Sequence, residues 1–176
     1  MKTTTLLTLL ALALPAFSQT TIKDALVKHW KVTGELTIAV AEAMPADSYN
    51  FRPNPEEMSF GQLMAHIGSA DRGACANASG MTPPAYPEKI AAYAKDNKLD
   101  VDKESATTFL KQTFDFCNKA VAGVTLAQLD KVVGPPARNL TGYEWLWSYF
   151  THTAHHRGQA EVYLRVKGIK PPTYVF

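Results

Sequence analysis

The sequence lacks several patterns that define common classes of protein. It has only two cysteines in 176 residues, and they lack the close paired spacing of a zinc ribbon. Charged residues make up 19% of the chain and the formal net charge is +2, with no dense basic stripe. These features do not favour binding to nucleic acid or to an anionic membrane surface. No segment alternates apolar and polar residues for long enough to predict a β-strand.

Long apolar runs are also absent, except at the N-terminus. Lys2 precedes the almost unbroken apolar run 6–14, and Ala16-Phe17-Ser18 places small residues where a signal peptidase cleaves. The run is too short for a convincing membrane span. We therefore expect a signal peptide at residues 1–18 and a single mature domain at residues 19–176, exported to the periplasm or secreted, with no membrane attachment. A buried N-terminal helix is the alternative.

The two cysteines, Cys75 and Cys117, both fall in segments with helical patterns. An exported protein meets an oxidising compartment, where disulfides form and persist. The sequence therefore favours a disulfide between them, and two buried free thiols are the alternative.

Four segments combine helical spacing of apolar residues with capping residues at their starts. They cover approximately residues 21–44, 59–79, 102–123 and 141–167. Shorter helices are expected at 87–95 and from Thr125 onward. This pattern predicts an all-α, four-helix bundle with short connecting helices.

Three histidines carry the candidate chemistry. His152 and His156 are four residues apart, so they project side by side from one face of the last helix. That face also carries Trp145 and Tyr149, which indicates that it looks into the bundle. His66 lies on the second helix and is the expected third ligand, because bundle sites collect ligands from facing helices. Three imidazoles would leave coordination positions open for water or substrate.

Several other residues have alternative expected roles. We expect His155 to act behind the ligands or to lie at the surface, and His29 to lie at the surface. Asp71 is expected at the pocket rim or facing water. Arg157 and Gln159 would either hydrogen-bond to the ligands or lie at the surface. Four aromatic residues of the last helix are expected in the core: Trp145, Trp147, Tyr149 and Tyr163.

The sequence resembles the DinB-like family in four stretches. They are the loop 49–53, the helix 60–67, the segment His152-Thr153-Ala154-His155-His156-Arg157-Gly158-Gln159, and the tail 164–172. The resemblance implies an up-down-down-up four-helix bundle, frequent dimerisation, no binding to DNA, and a divalent metal on His66, His152 and His156. Zinc or nickel is the implied metal, with iron, manganese and copper left open because imidazole suits several of these ions.

The sequence supports three functional hypotheses. The first is a metal-dependent enzyme, either a hydrolase or a thiol-dependent transferase, acting on an unidentified small molecule. The second is a non-catalytic bundle that binds a metal or small ligand. The third is a structural bundle whose histidines pair by hydrogen bonds. Export argues against the thiol-transferase, because the thiols that such relatives use are cytosolic.

Overall fold

Short capping motifs start the long helices. In the computed structural model, which describes residues 21–175, the side chain of Thr21 accepts a hydrogen bond from the amide of Asp24, and the Asp24 carboxylate accepts one from Thr21. Ser59 and Thr141 start their helices through the same reciprocal bonds. The predicted signal peptide at residues 1–18 lies outside the described residues.

The observed helices agree closely with the predicted ones. Across residues 21–175 they are α1 Ile22–Ala43, α2 Phe60–Ser79, α3 Glu88–Lys95, α4 Lys103–Gly123, α5 Leu126–Asp130 and α6 Gly142–Val166, with a short 3-10 helix at Ala46–Ser48. Two ends use glycine in the left-handed region, Gly80 with φ 72° and Gly168 with φ 74°. None of these helices is both long and apolar enough to cross a bilayer.

The four long helices form a closed bundle with an up-down-down-up arrangement. Helix α2 packs against α4 and α6, and α1 packs against the same two helices from the other side. The Lys103 side chain at the start of α4 bonds to carbonyls at the end of α1, so these helices are antiparallel. A disulfide between Cys75 and Cys117 joins the late turns of α2 and α4, so these run in the same direction. Tyr163 near the end of α6 bonds to Met58 just before α2, which makes α2 and α6 antiparallel.

Small residues let α2 approach α4 closely. A side chain at Gly68 would place its Cβ 2.7 Å from the ring of Phe109, and one at Gly61 would place it 1.9 Å from the carbonyl oxygen of Val101. Both distances are well inside van der Waals contact. Glycine is therefore a packing requirement at position 68, where α2 meets α4, and at position 61, where α2 meets the segment that leads into α4.

A two-stranded ribbon between α5 and α6 was not predicted from the sequence. Strand β1, Val132–Val133, pairs antiparallel with β2, Leu140–Thr141. Each strand has only two residues, too few for a period-two pattern to be visible. The ribbon matters because its connecting loop reaches the histidine cluster.

One expectation about the aromatic residues was wrong. Trp145 and Tyr163 are buried, and Tyr149 is half-buried, but Trp147 is 51% exposed. It stacks on the ring of Tyr143, with centroids 6.3 Å apart, on the outer side of α6. A 25-residue helix carries aromatic residues on more than one face, and proximity to His152 did not reveal which face was buried.

Candidate metal centre

The three predicted ligand residues meet at one point between α2 and α6. His66 comes from the second turn of α2, and His152 and His156 from successive turns of α6. Their candidate ligand atoms all lie within 4.8 Å of one another. All three side chains are half-buried, so the cluster lies near the bundle surface and is reachable by a small molecule.

The distance between two of the ring nitrogens fits a shared metal ion. Nε2 of His66 lies 3.1 Å from Nε2 of His152. With metal–nitrogen bonds of about 2.0–2.1 Å and bond angles between about 90° and 109°, two ligands on one ion would be about 2.9–3.4 Å apart. A direct hydrogen bond between the two rings also fits this distance. Such a bond would not explain the position of His156, whose ring also faces the pair, with its centroid 4.7 Å from that of His66.

Outer contacts set the orientation of His156. Its Nδ1 lies 2.7 Å from Oε1 of Gln159, one turn further along α6. An amide oxygen only accepts, so Nδ1 carries the proton and Nε2 presents its lone pair to the cluster. Gln159 therefore holds the ligand-ready form of His156, as one of the two sequence-based alternatives predicted.

His152 has no such support. Its Nδ1 is buried and has no hydrogen-bond partner among the described residues. A buried polar atom left without a partner costs about 1–3 kcal/mol. No hydrogen bond at Nδ1 therefore fixes the ring, and it can direct Nε2 at His66. A metal ion bound to both rings would stabilise that orientation.

The electrostatics of the cluster favour neutral rings. Burial and then repulsion from His156 lower the pKa of His66. Burial, assisted by repulsion from the neighbouring histidines, lowers the pKa of His152 to about 4. Burial also lowers the pKa of His156, although its bond to Gln159 opposes this. Neutral imidazoles are the form that binds metal, so the site needs to release few protons at neutral pH.

A cavity of about 420 Å³ opens beside His66 and His152. The cavity is also lined by the apolar side chains of Ala70 and Leu140, the hydroxyl groups of Ser148 and Tyr149, and the guanidinium of Arg138. The Tyr149 ring lies 5.5 Å from that of His152, centroid to centroid. Sequence reasoning missed Arg138, since it lies in the ribbon loop and only the tertiary structure brings it here.

Two residues predicted near the pocket instead belong to the core. Asp71 is fully buried, and both of its carboxyl oxygens lie 2.7–2.8 Å from Oγ1 of Thr153. Arg157 is 4% exposed and donates to the hydroxyl of Thr33 on α1 at 2.8 Å. The expectations of a rim or water-facing position for Asp71 and of a surface or ligand-bonding position for Arg157 were therefore wrong, because α6 packs against Asp71 and α1 packs against Arg157.

The remaining two histidines stay outside the cluster. His155 is exposed, with its ring 4.8 Å from that of His156, on the side away from His66. His29 is half-buried on α1, where its ring meets the edge of Phe150 at 6.4 Å. The site therefore contains only the three histidines that the sequence singled out.

Solved structures share the fold. A DinB-like protein from Bacillus cereus superposes with a TM-score of 0.71 at 17% identity, covering 89% of this chain and 99% of that chain. A DinB-like protein from Bacillus subtilis gives a TM-score of 0.67 at 21% identity, covering 85% of this chain and 96% of that chain. At these identities the likeness establishes the fold alone.

A family comparison covers more than half of the chain. The model of the DinB superfamily matches residues 29–160, a range that contains all three clustered histidines. No curated protein matches the chain.

Proposed function

We propose that this chain, which belongs to the DinB superfamily, is an exported enzyme that uses a divalent metal ion held by His66, His152 and His156. The observation that carries the proposal is the convergence of three ring nitrogens beside an accessible cavity. A structural metal site would be closed by a fourth protein ligand. Here no fourth protein ligand joins the three histidines among the described residues, and two of them line an open cavity.

The residues around the site would have different roles in a reaction. The three histidines hold and orient the ion, and Gln159 keeps His156 in the correct tautomer. A bound divalent ion would act as a Lewis acid on a carbonyl or on another polar group of the substrate. The hydroxyl groups of Tyr149 and Ser148 line the cavity, where they are placed to exchange protons or hydrogen bonds with a bound molecule.

Hydrolysis is the reaction class we favour over thiol-dependent transfer. The Cys75–Cys117 disulfide fits an oxidising compartment, as does the predicted signal peptide. The low-molecular-weight thiols that a transferase would need are cytosolic. Zinc or nickel is the proposed ion, since both suit a site of three imidazoles.

A non-catalytic binding protein is the second candidate, and one observation favours it. No carboxylate is among the described residues that line the cavity, because Asp71, which follows His66 along α2, points into the core. A site without a carboxylate base can bind a ligand on its metal without turning it over. The same histidines serve both candidates, so only activity separates them.

Metal analysis of protein purified without a histidine tag tests the shared part of the proposal. We expect about one zinc or nickel ion per chain in the wild type, and loss of that ion in His156→Ala. His155→Ala is the matched control, since it removes the neighbouring exposed histidine and should keep the metal. Wild-type protein that holds no stoichiometric metal after incubation with zinc would contradict both candidates.

Activity then separates the enzyme from the binding protein. Metal-loaded protein would be screened with ester, amide and thiol-transfer substrates. Turnover that disappears in His66→Ala and persists in His155→Ala supports the enzyme. Stoichiometric metal without turnover of any of these substrates favours the binding protein.

A further inference from the structure

Arg138 lies at the mouth of the cavity with no negative partner. It is exposed, and none of the ion pairs among residues 21–175 includes it. Its guanidinium instead donates to the hydroxyl of Tyr149 and lies 5.8 Å from the Trp145 ring centroid. Arg138 is the only charged side chain among the described residues that line this cavity.

Specific packing holds the loop that carries Arg138. The indole Nε1 of Trp145 donates to the carbonyl of Val133 at 3.0 Å, which ties the ribbon to the first turn of α6. Gly134 has φ 94°, and a side chain there would place its Cβ 2.9 Å from the Trp145 ring. The loop therefore packs closely against α6 at a position where only glycine fits.

The opposite side of the ribbon is also anchored. The amide of Gly142 donates to the carbonyl of Lys131 at 3.0 Å, closing the base of the ribbon. Gln128 in α5 donates to the carbonyl of Ser79 at the end of α2, at 2.9 Å. Arg138 is therefore carried by a segment that is fixed to both helices that supply the histidines.

The cavity therefore combines two kinds of binding group. His66 and His152 line it as candidate metal ligands, and Arg138 lines it with a guanidinium. A guanidinium binds carboxylates through paired, charge-assisted hydrogen bonds. A molecule that spans the cavity would meet the metal with one group and Arg138 with another.

We infer that Arg138 selects small carboxylates whose other polar end reaches the metal, so that the substrate or ligand of this protein is an anion. This inference rests on the proposed metal site and names the class of molecule that the site accepts. Tyr149 contributes by holding the guanidinium over the cavity until the carboxylate replaces or joins its hydroxyl.

A binding experiment with a defined probe tests this inference without requiring turnover. The probe is the monohydroxamate of succinic acid, which offers a metal-binding hydroxamate at one end and a carboxylate at the other. Its neutral methyl ester is the matched ligand. Titration calorimetry on zinc-loaded wild type should give an affinity at least about tenfold higher for the acid than for the ester, as expected for a charge-assisted pair.

Three variants locate the source of that preference. Arg138→Gln should lower the ratio of acid to ester affinity to about one, while its ester affinity and zinc content stay unchanged. Arg138→Lys should keep part of the ratio, because a point charge lacks the paired donors. Arg165→Gln is the control, since Arg165 is exposed on α6 and pairs with Glu161 away from the cavity, and it should keep the full ratio.

The possible failures are distinguishable. Equal affinities of the acid and the ester for wild type, or an undiminished ratio in Arg138→Gln, would overturn the assignment of Arg138 and leave the metal site standing. Wild-type protein that takes up no zinc would overturn the proposed function and this inference together. Malonic and glutaric monohydroxamates extend the test, because the best chain length should match the span of the cavity.

Discussion

Helix α2 packs against α4 and α6, and it uses different kinds of residue for the two interfaces. Toward α4 and the residue Val101 just before it, α2 presents Gly61, Gly68 and Cys75, small residues spaced by seven. They pack closely, and Cys75 forms the disulfide. Toward α6 it presents His66 and Asp71, polar residues that meet His152 and Thr153. One interface joins surfaces that are already complementary, whereas the other leaves polar atoms close together or without partners.

The residues of α2 that stabilise the fold and the residue that belongs to the candidate site therefore lie on different faces of the helix. The α2–α4 interface gains close contact and a covalent link, which hold α2 in place whether or not α6 is well satisfied. The α2–α6 interface can then keep three neutral imidazoles near one another, an arrangement that a bound ion would stabilise. Four predictions test this division, from the largest expected effect to the smallest.

Removal of the disulfide should give the largest loss of stability. The double variant Cys75→Ala/Cys117→Ala opens a cross-link between residues 42 apart, which is expected to lower the free energy of unfolding by about 4 kcal/mol. Urea unfolding followed by circular dichroism measures this loss. Reduced wild-type protein serves as the control and should lose a similar amount. A loss below about 1 kcal/mol would show that α2 and α4 hold together without the bond.

Overpacking the same interface should give the next largest loss. Gly68→Leu adds a side chain where the Phe109 ring is already within contact distance, and such insertions cost about 1–3 kcal/mol. Gly73→Leu is the control, because a Cβ there meets no atom within 4 Å. Thermal unfolding compares the two. Equal melting temperatures would mean that α4 moves away freely.

Weakening the α2–α6 interface should leave stability intact and affect the metal. Gln159→Ala removes the acceptor for Nδ1 of His156, and loss of such an outer partner typically costs 10–100-fold in metal affinity, about 1.4–2.7 kcal/mol. Competition with a chromogenic zinc chelator measures the affinity, and unfolding of the metal-free protein should change little. Lower stability with unchanged zinc affinity would contradict the division between the interfaces.

The last prediction concerns the dependence of stability on pH, and only the part of it between pH 6.5 and 8 ranks below the effects above. Burial raises the pKa of Asp71 to about 8 from 3.8, opposed by its bond with Thr153 and the charge of Arg157. The folded state therefore holds a proton that the unfolded state has lost, so stability falls as pH rises between about 4 and 8. The histidines oppose this only below about pH 6.5, because their lowered pKa values make the folded state resist protonation there.

The window from pH 6.5 to 8 therefore isolates Asp71. Wild type should lose stability across it, while Asp71→Asn should stay nearly flat, since asparagine is neutral and similar in shape. Urea unfolding at several pH values gives the two curves. A flat wild-type curve would show that Asp71 is ionised in the folded protein and that its charge is balanced by Arg157.

Sequence reasoning worked best for the helices because their signals are local. The capping residues Thr21, Ser59, Thr125 and Thr141 all start helices, since a cap needs only its neighbours three residues away. The candidate ligand pair was predicted for the same reason, because His152 and His156 share a face by helical spacing alone.

Errors arose where a side chain's surroundings come from distant segments. Asp71 and Arg157 were expected at the pocket or at the surface because each is polar in its own helix. Thr153 of α6 instead covers Asp71, and Thr33 of α1 covers Arg157. Trp147 was expected in the core because it is aromatic, yet its side chain is exposed. Arg138 carried no signal at all, since its loop belongs to a ribbon too short to predict.

The sequence by itself determined where the helices begin and end, and which three histidines were candidate ligands, because hydrogen bonds and side-chain spacing within a helix are fixed by residues a few positions apart. Only the tertiary structure decided which polar groups are buried, how α2 divides its two faces, and that Arg138 lines the same cavity as His66 and His152. Those facts depend on contacts between residues far apart in the chain, which exist only once the helices have packed.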